Sequence, residues 1–166
     1  MQPTKADTLV FFGATGDLAF KKIFPALQSM EQIEFLDTPI IAVTRVGRRK
    51  EDLLDRVRKS LETHGGGIDE TAFGRLADRL QVVSGEYDDA ATFHKLSGAL
   101  NGGSHPVFYL AIPPSAYKGI ITELGRSGCA RGGSLLIEKP FGYDLASSRE
   151  LNLAIHQVFD ETNVFR

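Results

Sequence analysis

The feature that most constrains the fold is an alternation of short, wholly apolar runs with longer stretches of helical periodicity. Leu9-Val10-Phe11-Phe12, Ile40-Ile41-Ala42-Val43, Val82-Val83, Val107-Phe108-Tyr109-Leu110-Ala111-Ile112 and Leu135-Leu136-Ile137 are apolar at successive positions. A strand exposed on one face alternates apolar with polar, so continuous runs of this length predict strands covered on both faces. Between them, apolar residues recur three and four apart. Leu18, Phe20, Ile23, Phe24, Leu27 and Met30 form one such stripe, and Leu53, Leu54, Val57 and Leu61 a second, stopped by Gly65-Gly66-Gly67. Phe73, Leu76, Ala77 and Leu80 predict a short third helix. Phe93, Leu96 and Leu100 predict a fourth, capped by Asp88 or Asp89. Tyr117, Ile120, Ile121 and Leu124 follow Pro113-Pro114. Leu151, Ile155, Val158 and Phe159 mark a last helix, opened by Asp144 or Ser147. Pro25 lies inside the first stripe and lacks the N–H that would bond the Lys21 carbonyl, which predicts a kink or break there. Asn163-Val164-Phe165-Arg166 reads as the start of a sixth strand. About five strand–helix alternations imply an α/β fold: a doubly wound, mostly parallel sheet with helices on both faces and right-handed crossovers.

Composition narrows the class of partner. The chain has 166 residues, 42% hydrophobic and 24% charged, which suits one globular domain rather than a disordered or fibrous chain. A net charge of −2 gives no footprint for nucleic acid. The single cysteine, Cys129, excludes an internal disulfide framework and most cysteine-based metal sites. No apolar run approaches the ~18 residues of a membrane span. The opening MQPTKADT lacks the apolar stretch of a signal peptide, so a cytoplasmic address is expected.

The first strand ends in Gly13-Ala14-Thr15-Gly16-Asp17-Leu18-Ala19. Gly13 permits a sharp turn. Gly16 lets backbone amides approach an anion, and Ala19 is small enough for a helix to pack closely on the strand. The helix N-terminus beyond adds about half a positive charge. Thr15 can give its hydroxyl to a phosphate. The pattern is G-x-x-G-x-x-A rather than G-x-G-x-x-G, and with no Gly-Lys-Ser/Thr it is not a P-loop. Its position between strand and helix predicts a dinucleotide pyrophosphate site. Where an NAD-binding domain places an acidic residue on the adenosine ribose, this chain has Arg45, followed by Arg48, Arg49 and Lys50. A planar guanidinium binds a 2′-phosphate in two-pronged fashion, so NADP is favoured, with Arg45 as its ligand and the next three basic residues as a solvated helix start. Later strand ends carry Pro113-Pro114 with Tyr117 a turn beyond, and Glu138-Lys139-Pro140. Ligands of open α/β sheets sit outside such ends. Lys139 is therefore expected where nicotinamide and substrate meet.

Four segments in order, GATGDLAFKKIFP, GEYDDAATF, FYLAIPPSAY and IEKPFGYDLASSREL, resemble the N-terminal half of glucose-6-phosphate dehydrogenases over nearly the whole chain. The resemblance implies a Rossmann-like NADP-binding domain over residues 1–166, with the C-terminal substrate domain absent. It implies hydride transfer from the anomeric carbon of glucose 6-phosphate to NADP, giving the lactone, in the pentose phosphate pathway. It also implies coenzyme contacts at Gly13, Ala14, Thr15, Gly16, Asp17, Leu18, Ala19, Phe20, Arg45, Tyr87 and Asp88. Pro113, Tyr117, Glu138 and Pro140 lie near the nicotinamide by the same resemblance, and Lys139 touches both coenzyme and sugar. Full-length members are homo-oligomeric. This sequence departs from the pattern in having Thr15 for a frequent serine, Phe20 for a common lysine and Tyr143 for a basic residue. The family's segment resembling RIDHYLGKE, with its substrate-binding histidine and lysine, would begin where this chain stops. None of His64, His94, His105 and His156 falls at a strand's carboxyl end, so no catalytic residue is expected in the chain, and no turnover from it alone. No tyrosine is followed at the fourth position by lysine, which excludes the short-chain dehydrogenase pattern. A glucose–fructose oxidoreductase-type enzyme, which also carries Glu-Lys-Pro, and a stand-alone NADP-binding module are the alternatives.

Overall fold

The computed structural model describes residues 5–166. Six strands form one sheet, all neighbours parallel: β1 (Thr8–Phe12), β2 (Ile40–Thr44), β3 (Leu80–Ser84), β4 (Pro106–Leu110), β5 (Ser134–Ile137) and β6 (Val164–Phe165). Their spatial order is β3-β2-β1-β4-β5-β6. That order reverses direction between β1 and β4, the position where doubly wound sheets open a crevice for ligand. Helices α1 (Phe24–Gln32), α2 (Lys50–His64) and α3 (Glu70–Arg79) cover one face, and α4 (Ala90–Leu100), α5 (Tyr117–Ser127) and α6 (Leu145–Val158) the other.

Two cores result, one on each side of the sheet. Phe11, Ile40 and Ala42 point to α1–α3, while Val10, Phe12, Ile41, Val43 and Phe108 point to α4–α6. Successive strand side chains face opposite ways, so a strand buried on both faces must be apolar at every position. All five residues of β2 are buried.

Pro25 marks a change of helix type rather than an end. Residues Ala19–Ile23 form a wide π-helical turn, and the Phe24 N–H donates to the Ala19 carbonyl five residues back. Pro25 then falls in the first turn of α1, where its missing N–H has no α-helical partner to lose. The β4 strand stops at Leu110, two residues short of the apolar run. Ala111 N–H still reaches the Phe12 carbonyl (3.0 Å), but β1 turns away at Gly13. In β3, Gln81 is exposed, which shortens the apolar signal of a five-residue edge strand to Val82-Val83. Asp89 caps α4 and Asp144 caps α6, the latter with reciprocal hydrogen bonds to Ser147. The sixth strand is present, pairing Val164 with Leu135 and Phe165 with Leu136.

One buried charge ties α1 to α3. Glu31, 1% exposed, accepts from Arg79 Nε (2.7 Å) and Arg75 Nε (3.3 Å), while its carbonyl accepts from Arg75 Nη2 (2.7 Å). The two arginines stay partly in water, so removing the acid strands less charge than in a fully dry pair. Glu31→Ala is therefore expected to cost ~2–3 kcal/mol, below the full penalty of breaking a buried pair. Thermal denaturation should show a midpoint lower by roughly 5–10 °C, with coenzyme affinity untouched. An unchanged midpoint would show the triad to be passive.

Candidate dinucleotide site

In a parallel sheet all strands end on the same edge. Phe12, Thr44, Ser84, Leu110 and Ile137 therefore bring the segments after them together. This collects Gly13–Phe20, Arg45, Tyr87-Asp88, Pro113–Tyr117 and Glu138–Pro140 along one rim.

The first turn is shaped by close packing. Gly13 has φ +88°, and a Cβ there would lie 2.2 Å from the Ala111 carbonyl oxygen. Its N–H donates to the Val43 carbonyl (3.2 Å) and the Tyr87 hydroxyl (3.0 Å). The Gly16 N–H donates to the Gly13 carbonyl (2.9 Å), and a Cβ on Gly16 would press that carbonyl at 3.1 Å. The two glycine amides are thus spent on building the turn. The amides of Ala14 and Thr15 have no partner among the described residues. Helical backbone begins at Asp17, so Asp17, Leu18 and Ala19 carry the free N–H groups of a helix start. Phe20 N–H is the first to close back, onto Gly16 (3.1 Å). Of these groups, those of Thr15, Asp17 and Leu18 belong to residues that reach the surface, and backbone amides at a helix start are suited to an anion. Ala14 and Ala19 are fully buried, which seats the helix directly on the sheet.

Tyr87 joins the turn to the end of β2. Its ring meets Phe12 edge-on (5.7 Å), and its hydroxyl lies between the Gly13 amide and the Val43 carbonyl. Burial pushes the phenol above its ordinary range, against the opposing pull of the Gly13 amide and the Arg45 charge. Arg45 is exposed just after β2, its carbonyl held by the Ser84 hydroxyl (3.0 Å). It shares a cleft of about 330 Å³ with Tyr87, Asp88, Ser115 and Ala116. Thr15 borders a different cleft, of about 300 Å³, with Phe20, Arg48, Arg56 and Lys59. A larger cleft of about 650 Å³ lies on the flank between α4 and α5 and includes only Asp88 of the expected residues.

At the other end of the rim, Glu138 accepts from the Tyr109 hydroxyl (2.8 Å), and its carbonyl from Tyr117 (3.2 Å). Burial, reinforced by the Glu138 carboxylate, raises the Tyr109 phenol well above the ordinary tyrosine range, and burial raises Tyr117 too. Both remain donors at neutral pH and fix the segment that carries Lys139. Lys139 and Pro140, joined by a cis peptide bond, are exposed at the carboxyl end of β5, as is Pro113 beyond β4.

Two contributors escaped the sequence reading. Tyr109 was read as strand core, yet its hydroxyl anchors Glu138. Arg56 drew no expectation from the sequence, yet its guanidinium lies on the turn, donating to the Gly16 carbonyl. Leu53, Val57, Ser60 and Leu61 are the buried stripe of α2, and Arg56 stands three residues from Leu53 and four from Ser60. That spacing was the available signal.

An amide-lined turn at the β1/β4 switch point, with arginines beyond β2, defines a Rossmann-type dinucleotide-binding domain. The family model for "Glucose-6-phosphate dehydrogenase, NAD binding domain" matches residues 10–166. The chain belongs to the glucose-6-phosphate dehydrogenase family, the first of the readings its motifs left open. It is similar to glucose-6-phosphate 1-dehydrogenase 1 of Mycobacterium tuberculosis, 35% identical over 161 residues, covering 97% of this chain and 34% of that one. Glucose-6-phosphate 1-dehydrogenase 6, cytoplasmic, of Arabidopsis thaliana is 32% identical, covering 96% and 34%. The crystal structure of the Mycobacterium avium glucose-6-phosphate 1-dehydrogenase superposes with a TM-score of 0.91 at 38% identity, over 96% of this chain and 36% of that one. The chain thus spans about a third of the length of its relatives.

Proposed function

We propose that residues 1–166 are the NADP-binding domain of a glucose-6-phosphate dehydrogenase. The observation that carries this reading is the Gly13–Ala19 turn at the β1/β4 switch point, with unspent amides on it and Arg45 one Tyr87 ring away. The residues present suit the coenzyme. The amides of Thr15, Asp17 and Leu18, which reach the surface, hold the diphosphate, the Thr15 hydroxyl supplements them, and the buried Ala14 and Ala19 shape the turn from beneath. Phe20 supports the turn from the helix behind it, in place of the lysine common in the family. Arg45 holds the 2′-phosphate, and Tyr87 with Asp88 borders the adenosine side. Pro113, Glu138 and Pro140 wall the nicotinamide end, the buried Tyr117 steadies Glu138 from behind through its hydroxyl, and Lys139 reaches coenzyme and sugar together.

Bound NADP supplies the hydride acceptor. In the whole protein, the anomeric carbon of glucose 6-phosphate loses a hydride and its hydroxyl a proton, leaving the lactone. Lys139 orients the sugar by donating to its hydroxyls. The proton needs a base. His64 packs on Phe20 at the end of α2, His105 Nδ1 faces the Gly132 carbonyl oxygen (3.3 Å) before β4, and His94 and His156 lie in helices. None is on the rim, so the base is assigned to the remainder of the protein, as is assembly into a homo-oligomer. Among the described residues no helix is long and apolar enough to cross a membrane.

Calorimetric titration of the chain tests the assignment. One NADP per chain, bound more tightly than NAD, is expected. A chain that is folded by circular dichroism yet takes up neither coenzyme would refute it.

A further inference from the structure

Phe20, in the first helix beyond the turn, carries a cation on its ring. The Arg56 guanidinium, reaching over from α2, lies 4.7 Å from the Phe20 ring centroid. Its Nη2 donates to the Gly16 carbonyl (3.2 Å), inside the first turn. The Phe20 carbonyl accepts from Ser60, one turn along α2, so the two helices are locked at this point. Arg56 Nε is buried and has no hydrogen-bond partner among the described residues. The side chain borders the Thr15 cleft with Arg48 and Lys59. Asp52 and Asp55 also border it, but Asp52 is paired with Arg49. The contacts made by Arg56, a carbonyl and an aromatic face, hold the guanidinium without neutralising it.

A guanidinium fixed without a carboxylate partner, in a cleft where, among the described residues, Arg48, Arg56 and Lys59 outnumber the one unpaired carboxylate, Asp55, is suited to a phosphate dianion. The cleft lies on the β2 side of the turn, toward α2, the side where the adenosine half of a dinucleotide is held. We propose that Arg56, presented by Phe20, is a second specificity-determining residue for the coenzyme. It contacts the 2′-phosphate from the Thr15 side while Arg45 approaches from the Tyr87 side. This rests on the NADP-binding reading above and assigns to it a side chain from α2. A guanidinium held on a ring and a carbonyl has less side-chain freedom to lose on binding.

Calorimetry with adenosine 2′,5′-bisphosphate and with ADP separates the outcomes, because only the first carries the 2′-phosphate. Arg56→Gln is expected to weaken the bisphosphate on the order of ten-fold and to leave ADP within about two-fold. Equal losses on both ligands would place Arg56 at the diphosphate or in the turn's framework, and no loss would remove it from the site. Either result overturns the proposal while leaving NADP binding intact. If the wild-type chain binds neither ligand, it is the broader coenzyme reading that fails. Should Arg56→Gln fail to fold, Arg56→Lys carries the test. It keeps the charge but loses the planar fork, so a smaller loss confined to the bisphosphate is expected. Unchanged affinity in Arg56→Lys would overturn the proposal.

Discussion

Replacing Gly13 by alanine is expected to destabilise the chain by ~3–5 kcal/mol, from left-handed strain together with a backbone clash. The angle φ is +88°, and the added methyl would meet the Ala111 carbonyl oxygen at 2.2 Å. That oxygen is backbone at the end of β4 and cannot rotate aside. Moving it would part β4 from β1, where Ala111 N–H bonds Phe12. The thermal midpoint should fall by roughly 10 °C or more, and any folded remainder should lose NADP affinity as the Gly13–Tyr87 bond opens. Gly47 separates strain from clash. Its φ is +87°, but among the described residues nothing lies within 4 Å of an added Cβ. Gly47→Ala should cost only the ~1–2 kcal/mol of a left-handed residue. Equal losses at the two positions would mean that the β1/β4 contact contributes nothing.

Arg45→Ala is expected to erase most of the preference for NADP over NAD. Loss of a guanidinium from a phosphate dianion should weaken NADP by about ten- to a hundred-fold, with NAD nearly unaffected because its ribose offers that side chain no anion. Arg45 is exposed, so the substitution should leave the thermal midpoint within about 1 °C of the parent. Parallel calorimetric titrations with the two coenzymes give the ratio directly. A ratio unmoved by the substitution would take Arg45 out of coenzyme selection and leave the 2′-phosphate to the Arg56 side.

Much of this arrangement was legible in the residues because it is written in local periodicity. Val10-Phe11-Phe12 and Ile40–Val43 are apolar at every position, which fits only a sheet covered on both faces. Gly13, Gly16 and Ala19 announce a tight strand-to-helix turn. The harder details depended on partners distant in the chain. Tyr87 lies 74 residues from Gly13, and no local pattern says that its hydroxyl meets that amide. Tyr109 resembled every other apolar position of its strand until β5 brought Glu138 beside it. Pro25 suggested a break, and the chain answered with a π-turn, since the wider turn lets Ala19 bond Phe24 and keeps α1 on its path.

The sequence by itself determined the strand–helix alternation, the glycine-bearing first turn and the basic residues beyond β2, because these follow from spacing, backbone freedom and charge along a single stretch. Only the tertiary structure decided which amides remain free on the turn, that Arg45 and Thr15 border separate clefts, and that Arg56 comes to rest on Phe20. Those outcomes depend on how α2 crosses α1 and where β4 meets β1. Packing between segments tens of residues apart sets such angles, and no single segment encodes them.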